Sequence, residues 1–413
     1  MPSVLAHPNF RLFWAGGMLS VAGDWMLLTA LPFYVYSLTG SVAATSAMYV
    51  AYAVPRLLLG LLGGTLVDRF DRRRTMIICD LSRSVLLLPL LFVDTRSTLW
   101  ILLVVSAVQS AIGQLFFPAR HALLPGLVPL DTRVRANSLD SLSMGITRLI
   151  GPIGGGAVLA GLGISAVVVI DAVSFGLSAL LLWRMRVPLS IAHATGRSRP
   201  SVRTDLLSGI RLCWRKRVVR GVLALSGAVM VGYGLVSVLT VVFVRTDLGA
   251  GAAAFGWMLA AQGIGITVAG LLGTRIGPRV PATGLYVGGL MVVGASMLVA
   301  FQSRTLTPAL IAFGFSGAGL SAWMVGERTL LQGAVPARQL GRAFGAYNTV
   351  TSMLMLAGTM AAGVVGNAWG ARPVLTVAAA LYLLPGVAGA IVVLGNRMRR
   401  RSRPDVVKPR KAA

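Results

Sequence analysis

Four ionisable residues lie far from the ends of apolar stretches, where a charge is unfavourable. They are two acids and two arginines in the first half of the chain: Asp24, Arg56, Arg148 and Asp171. At a helical rise of 1.5 Å per residue, each lies about 16 to 20 Å from the inner end of its stretch. A charge at that depth costs roughly 2.5 to 3.5 kcal/mol, so such groups pair or bind protons. The sequence predicts a neutralised network in which protonating one acid changes the pairing of the others.

Asp24 is the candidate for the group that gains and loses the proton, with Arg56 as its expected partner and Arg148 second. Arginine stabilises the carboxylate, and protonation releases the arginine and shifts a conformational equilibrium. A permanent ion pair is the alternative. Asp171 belongs to the relay or is a helix-packing acid bonded to Arg148.

Two other sets of charges are expected to lie closer to the inner face. Asp80 and Arg83 are three residues apart near the start of the third stretch, and we expect them to pair there. Glu327 is expected at the inner end of the tenth stretch, so the second half has no ionisable residue of comparable depth.

The stretches that carry these residues are membrane spans. Of 413 residues, 56% are hydrophobic and 12% charged, whereas ordinary soluble domains carry about 25% charged residues. This composition excludes a soluble domain, a disordered chain and a disulfide-framed secreted module. Segments of about 20 mostly apolar residues predict twelve transmembrane helices. They lie near 11–37, 43–67, 75–93, 98–120, 138–162, 164–184, 219–244, 252–273, 282–300, 306–326, 345–368 and 373–395.

The net charge of +26 follows the connections between spans. With the N-terminus inside, 31 of the 38 Lys and Arg residues fall in inner segments and four in outer loops. This asymmetry is the positive-inside rule, so the charge sets topology and does not indicate nucleic-acid binding. We expect a multi-pass protein of the bacterial cytoplasmic membrane with both termini cytoplasmic. An amphipathic helix at 205–217 is expected on the inner membrane surface, against anionic lipid headgroups.

The two halves of the sequence echo each other. Gly126-Leu-Val-Pro129 and, after five residues, Arg135-Ala136 recur 207 residues later as Gly333-Ala-Val-Pro336 and Arg342-Ala343. Parallel repeats of this kind are typical of transporters whose two bundles rock about a central site. The predicted fold is an all-α membrane protein with two pseudo-symmetric six-helix bundles. They occupy 1–184 and 219–396, joined by a linker at 185–218 and followed by a basic tail at 397–413.

The loop Gly64-Thr-Leu-Val-Asp68-Arg69-Phe-Asp-Arg72-Arg73 resembles the signature of the major facilitator superfamily. Phe116-Phe-Pro-Ala-Arg120, Gly151-Pro152-Ile-Gly-Gly155 and Asp171-Ala-Val-Ser-Phe175 are similar to its drug:proton antiporter branch, which includes macrolide and siderophore (enterobactin) exporters. The resemblance implies a secondary exporter of small amphipathic molecules in exchange for protons, by alternating access. A lipid or lysolipid translocator of the same fold, or a non-transporting receptor or scaffold, are the alternatives.

The resemblance has two departures. Asp71 stands where the signature usually has glycine, and span four lacks the mid-membrane arginine of some relatives.

Three further sets of residues are candidates for working parts. A conformational latch is expected from helix-end carbonyls, one carboxylate and nearby arginines, although the arginines alone would also set topology. Its residues are Gly64, Asp68, Arg69, Arg72 and Arg73. Close helix approach and a kink are expected in span five at Gly151, Pro152 and Gly155.

Cargo contacts are expected from aromatic rings, thioethers and amides, which suit bulky amphipathic molecules, although packing or lipid contact would also explain each residue. The candidates are Trp25, Tyr52, Gln109, Tyr233, Gln262, Trp323, Met324, Asn348, Met353 and Met355.

The remaining motifs point away from enzyme chemistry. The sequence has no Walker loop with its lysine, no strand that would support a dinucleotide fingerprint, and no metal signature at Cys79 or Cys213. We therefore expect no cofactor, no metal and no enzymatic activity. The expected partners are an amphipathic substrate, protons and membrane lipids, and we expect a monomer.

Overall fold

The computed structural model describes residues 4–67, 70–186, 202–276, 279–336 and 339–401. Twelve α-helices make up almost all of this part of the chain, joined by short 3-10 turns. They are α1 (Pro8–Thr39), α2 (Val42–Val67), α3 (Arg72–Leu87), α4 (Leu99–Leu123), α5 (Arg133–Arg184), α6 (Val202–Arg215), α7 (Arg217–Thr246), α8 (Ala252–Ile276), α9 (Ala282–Gln302), α10 (Leu306–Ala334), α11 (Leu340–Trp369) and α12 (Ala371–Arg401).

One helix, α5, crosses the membrane twice. Its 52 residues would extend about 78 Å at the α-helical rise, against a hydrocarbon core of about 30 Å. The backbone turns at Gly163, whose φ of 81° and ψ of 178° suit glycine. We name the two parts the first arm (133–162) and the second arm (164–184). Eleven helices of the described chain are long and apolar enough to span a membrane, and the double crossing of α5 makes twelve spans, which confirms the predicted fold class.

The spans pack as two groups of six. Helices α1 to α5 contact one another in the first half, and α7 to α12 do so in the second. Between them, α6 packs on the start of α11, where the Cys213 thiol donates to the carbonyl of Ala343 at 3.8 Å. Burial raises the pKa of the Cys213 thiol, so it stays neutral. The exposed side of α6 carries Trp214, Arg211 and Arg215.

The halves meet most closely at one end of the molecule, where α2 begins and α11 ends. There the Ser46 hydroxyl donates to the carbonyl of Thr359 at 2.6 Å. On the neighbouring pair of helices, a Cβ placed on Gly256 of α8 would lie 2.3 Å from the Pro152 carbonyl oxygen of α5. We name this end the far face, and the opposite end, where α1 begins and α6 lies, the basic face.

Helices α5 and α8 pack less tightly towards the basic face. A Cβ on Gly263, two turns further along α8, would find its nearest atom, the Arg148 carbonyl oxygen, at 3.7 Å. Arg56 on α2 and Arg148 on α5 are exposed. The halves are therefore packed most tightly at the far face, and the exposed Arg56 and Arg148 indicate a cleft towards the basic face.

Candidate functional site

An ion pair between a buried arginine and a partly exposed aspartate joins α1 to α3 inside the first half. The Arg83 guanidinium lies 3.5 Å from the carboxylate of Asp24, and only 4% of the arginine side chain is exposed. The rings of Phe116 and Phe175 lie 5.3 and 5.2 Å from its central carbon. Aromatic faces attract a desolvated cation. Arg83 is therefore held in place by packing as well as by charge.

Two more carboxylates lie near this arginine without forming an ion pair with it. Asp80 and Asp171 are fully buried, and the charge of Arg83 acts on both. Ser178 donates to Asp80 at 2.6 Å and Ser174 to Asp171 at 3.3 Å. One oxygen of each carboxylate has no hydrogen-bond partner. Three acids thus lie around one arginine, a group that we name the acid cluster (Asp24, Asp80, Asp171 and Arg83).

A second buried ion pair lies closer to the basic face. Arg120 near the end of α4 is 1% exposed and donates to the carboxylate of Asp140 in the first arm of α5. Its guanidinium also lies 4.7 Å from the ring centre of Phe13. A Cβ on Gly17 of α1 would overlap this guanidinium, so only glycine leaves it room. The sequence pattern did not indicate this pair.

The pairing of the deep charges differs from the predicted one. Asp24 pairs with Arg83 instead of Arg56, and Arg148 forms no ion pair with Asp171 or any other described residue. Arg56 lies over the ring of Tyr52 and Arg148 over the ring of Trp25, at 5.7 and 5.0 Å.

The inner-face pair expected between Asp80 and Arg83 is also absent, because each of them has another partner. Distance from a helix end gives the depth of a residue but not the side of the helix on which it lies. Depth therefore grouped Asp24 with Asp171 but assigned both of them to the wrong arginines.

Two neighbouring cavities adjoin this site. The main cavity, of about 130 Å³, lies between the halves and has no charged residue among those that line it. Trp25 and Tyr49 come from the first half, and Tyr233, Gln262 and Tyr382 from the second.

A smaller cavity of about 30 Å³ reaches Asp24. It shares Leu28 with the main cavity and is also lined by Tyr52, Ser106 and Gln109. The amide of Gln109 and the hydroxyl of Ser106 are buried without protein partners. A buried water needs about 10 to 15 Å³ of such volume and two to four polar partners. The smaller cavity can therefore hold water in contact with the Asp24 carboxylate.

The structure divides the predicted cargo contacts into two sets. Five of them line a cavity: Trp25, Tyr233 and Gln262 the main one, Tyr52 and Gln109 the smaller one. The other five line neither. Trp323 packs in the core of the second half, while Met324, Asn348 and Met353 are exposed and Met355 is half-buried.

Sequence reasoning missed Tyr49 and Tyr382. Tyr49 could have been found, because it lies three residues before Tyr52 on the same helical face.

The predicted latch lies partly outside the described residues. Asp68 and Arg69 are among those not described, and Gly64 forms part of α2. Arg72 donates to the Ala122 carbonyl at 2.9 Å, close to the end of α4. Arg73 donates to the Leu182 carbonyl at 2.8 Å and to that of Trp183, at the end of α5. Unpaired carbonyls at helix ends attract cations in this way.

Asp71, the departure from the signature loop, caps a helix. Its side chain accepts a hydrogen bond of 2.7 Å from the Arg74 amide at the start of α3. An aspartate at this position satisfies an amide that glycine could not.

Gly151 and Gly155 of α5 lie against α1. A Cβ at these positions would meet Trp25 at 2.4 Å and the Met26 carbonyl at 2.3 Å. The helix continues through Pro152, and within α5 the non-helical backbone angles occur at Gly163.

The second half contains a buried carboxylate in hydroxyl surroundings. Ser226 donates to Glu327 at 2.7 Å, and Tyr347 donates to the same oxygen. The Tyr286 hydroxyl lies 2.9 Å from that of Ser226. These side chains come from α7, α9, α10 and α11, so Glu327 lies inside the bundle and not at its end as expected. It forms no ion pair with a described residue.

A family model described as transmembrane secretion effector matches residues 2–407. The chain belongs to this family. It is a multi-pass membrane transporter of the major facilitator superfamily and not an enzyme.

Similar proteins include transporters and efflux pumps. The chain is 27% identical over 408 residues to the uncharacterized MFS-type transporter YfiS of Bacillus subtilis, covering 97% of this chain and 96% of YfiS. It is 29% identical over 226 residues to the multidrug efflux pump Tap of Mycobacterium tuberculosis, or 52% of each chain. A bacterial homologue of the lysosomal transporter Spinster, solved inward-facing and unoccupied, aligns with a TM-score of 0.72 and 16% identity over 98% of this chain and all of that one. This last likeness concerns the fold.

Proposed function

We propose that this transporter is a proton-coupled antiporter that exports small amphipathic organic molecules by alternating access. The acid cluster is the observation that carries the proposal. Removing a buried carboxylate from water is unfavourable unless a cation compensates it. Two fully buried carboxylates and a third that lines a cavity lie near one arginine, and they cannot all be charged at low free energy, so the cluster is suited to hold protons.

The position of Asp24 links these protons to cargo. It is the member of the cluster that lines a cavity, and that cavity shares Leu28 with the main one. Trp25, the next residue of α1, lines the main cavity. A change in the charge of Asp24 therefore acts on a helix that also contacts the cargo space.

A transport cycle follows from these contacts. With the cleft open to the basic face, deprotonated Asp24 pairs with Arg83 and cargo enters the main cavity. After the cleft opens to the far face, cargo leaves and a proton reaches Asp24 through the smaller cavity. Protonation weakens the pair with Arg83 and favours return to the first state, where the proton is released.

The direction of transport depends on orientation. The excess of Lys and Arg at the basic face supports a cytoplasmic location for that face and for both termini, in a bacterial inner membrane. Cargo then moves outward while protons move inward. The efflux activity named for Tap supports the same direction.

The test is Asp24→Asn in purified protein reconstituted into liposomes. Transport of anionic, neutral and cationic amphipathic dyes is measured with and without a pH gradient. We expect the variant to lose gradient-driven accumulation and to keep dye exchange at equal pH, because its cavity is intact. Asp94→Asn, in an exposed connection at the far face, is the matched control and should behave as wild type.

Two outcomes would contradict the proposal. Undiminished gradient-driven transport by Asp24→Asn would remove Asp24 from the coupling step. Movement of fluorescent lipid by the wild type, without movement of any dye, would favour a lipid translocator.

A further inference from the structure

We propose that the cargo carries an anionic group, which Arg148 and Arg56 attract into the cleft. This inference rests on the proposed export function and adds the charge class of its substrate. It stands on two exposed guanidiniums, the rings beneath them and the absence of an unpaired acid from the described cavity walls.

Arg148 lies in the cleft between the halves. It belongs to the first arm of α5, its backbone faces Gly263 of α8, and its guanidinium covers the ring of Trp25. Trp25 in turn lines the main cavity. The guanidinium is exposed and makes no ion pair with a described residue. It does not itself line the main cavity, but through Trp25 it lies beside it and is available to an anion that approaches along the cleft.

Arg56 occupies a similar position on α2. Tyr49, Tyr52 and Arg56 follow one another at spacings of three and four residues, so they share a face of the helix. Tyr49 lines the main cavity and Tyr52 lines the smaller one. Arg56 is exposed and lies over the ring of Tyr52. Arg56 likewise has no ion pair within the described chain.

The depth of both arginines explains why they face water. Arg56 is eleven residues from the end of α2 and Arg148 fifteen from the start of α5, or about 16 and 22 Å along the helices. Exposure to lipid at that depth would be strongly unfavourable. A water-filled cleft removes this penalty and leaves the charges accessible.

The charge balance of the cavities decides between ligand classes. Among the described acids, Asp24 lines a cavity, and Arg83 already pairs with it. The remaining lining is uncharged, so Arg56 and Arg148 give the cleft a positive potential. Low-dielectric walls focus such a potential and concentrate ions of opposite sign. A carboxylate, sulfonate or phosphate on an aromatic or aliphatic body fits this site better than an ammonium group.

The first experiment measures the potential of the cleft without a ligand. Ser237 of α7 lines the main cavity, and both native cysteines are buried. In Ser237→Cys, the new thiol is modified with an anionic and a cationic methanethiosulfonate of similar size. We expect the anionic to cationic rate ratio to exceed that of free N-acetylcysteine by on the order of tenfold. Arg148→Gln should lower the ratio, and Arg148→Lys should keep it.

The second experiment uses the same thiol to compare ligands. Three naphthalene compounds that end in a carboxylate, an alcohol or a trimethylammonium group are tested for protection of the cysteine. The proposal predicts the strongest protection by the carboxylate, a loss of that preference in Arg148→Gln and Arg56→Gln, and its retention in Arg148→Lys. A rate ratio no higher than that of the free thiol, or protection that does not favour the carboxylate, overturns it.

These results are separable from the test of coupling. Asp24→Asn should keep the anion preference of the cleft while it loses gradient-driven transport. An anion preference without any proton-driven transport in the wild type would contradict the proposed function and leave the charge class intact.

Discussion

The two halves use different side-chain pairs at equivalent positions of the repeat. Arg120 and Asp140 are twenty residues apart and paired in the first half, and Glu327 and Tyr347 are twenty residues apart and paired in the second. Glu327 lies 207 positions after Arg120, and Tyr347 lies 207 positions after Asp140, which is the offset of the internal repeat.

The two repeats share the contact between equivalent helices and differ in the side chains that make it. A contact between α4 and the first arm of α5 corresponds to a contact between α10 and α11, so the geometry is shared. The first half uses two opposite charges, whereas the second uses a carboxylate and neutral hydroxyl donors. Buried ion pairs lose most when one partner is removed, because the other charge is left uncompensated. The first half should therefore be more sensitive to loss of a single partner.

The strongest test of this comparison is Arg120→Ala. Breaking a buried ion pair costs about 3 to 5 kcal/mol of stability, since Asp140 would stay buried without a counter-charge. Thermal unfolding of the purified protein in detergent should show a large loss. The double variant Arg120→Met with Asp140→Leu should recover much of it, because it removes both charges and keeps the volume. A double variant as unstable as Arg120→Ala would assign the loss to packing.

A smaller effect is expected where the halves meet. Gly256→Ala places a methyl group against the Pro152 carbonyl, 2.3 Å from the nearest atom. Overpacking of this kind typically costs about 1 to 3 kcal/mol. Here it destabilises the close contact between the halves at the far face. The yield of a disulfide between cysteines at Ser46 and Thr359 should fall.

Gly263→Ala is the matched control for that variant. It lies on the same helix, where the nearest atom would be at an ordinary 3.7 Å, and it should leave the disulfide yield unchanged. Equal yields in the two glycine variants would show that this crossing does not determine closure.

The smallest effect is expected at Tyr347, the counterpart of Asp140. Tyr347→Phe removes one of two hydroxyl donors to Glu327, and Ser226 remains. Loss of one hydrogen bond of this kind changes stability by about 1 kcal/mol. Asp140→Asn, at the equivalent position, should destabilise the protein more in the same unfolding assay. The reverse order would break the comparison between the halves.

The fold was predictable because span length and repeat offset are one-dimensional properties of the sequence. The apolar length required to cross a bilayer is set by its thickness. The double crossing of α5 was also predictable, since spans at 138–162 and 164–184 leave one residue between them, and that residue is Gly163.

The pairing of charges was not predictable in the same way. Depth can be counted along a helix, but the partner of Asp24 depends on how α1 and α3 are rotated against each other. Arg83 was assigned to Asp80 because of their spacing, yet packing between Phe116 and Phe175 turns it towards Asp24. The internal repeat could have shown that Glu327 is buried, because its offset makes Glu327 the counterpart of Arg120, which pairs with Asp140 inside the first half.

The single-residue turn at Gly163 connects the contact between the halves to one of the buried acids. One arm of α5 touches α8 of the other half at the far face, and the other arm holds Asp171 against the backbone of α1 at Gly23. A single residue, Gly163, joins the two arms. We therefore expect a tilt that parts the halves at Gly256 to be transmitted through Gly163 to the arm that carries Asp171.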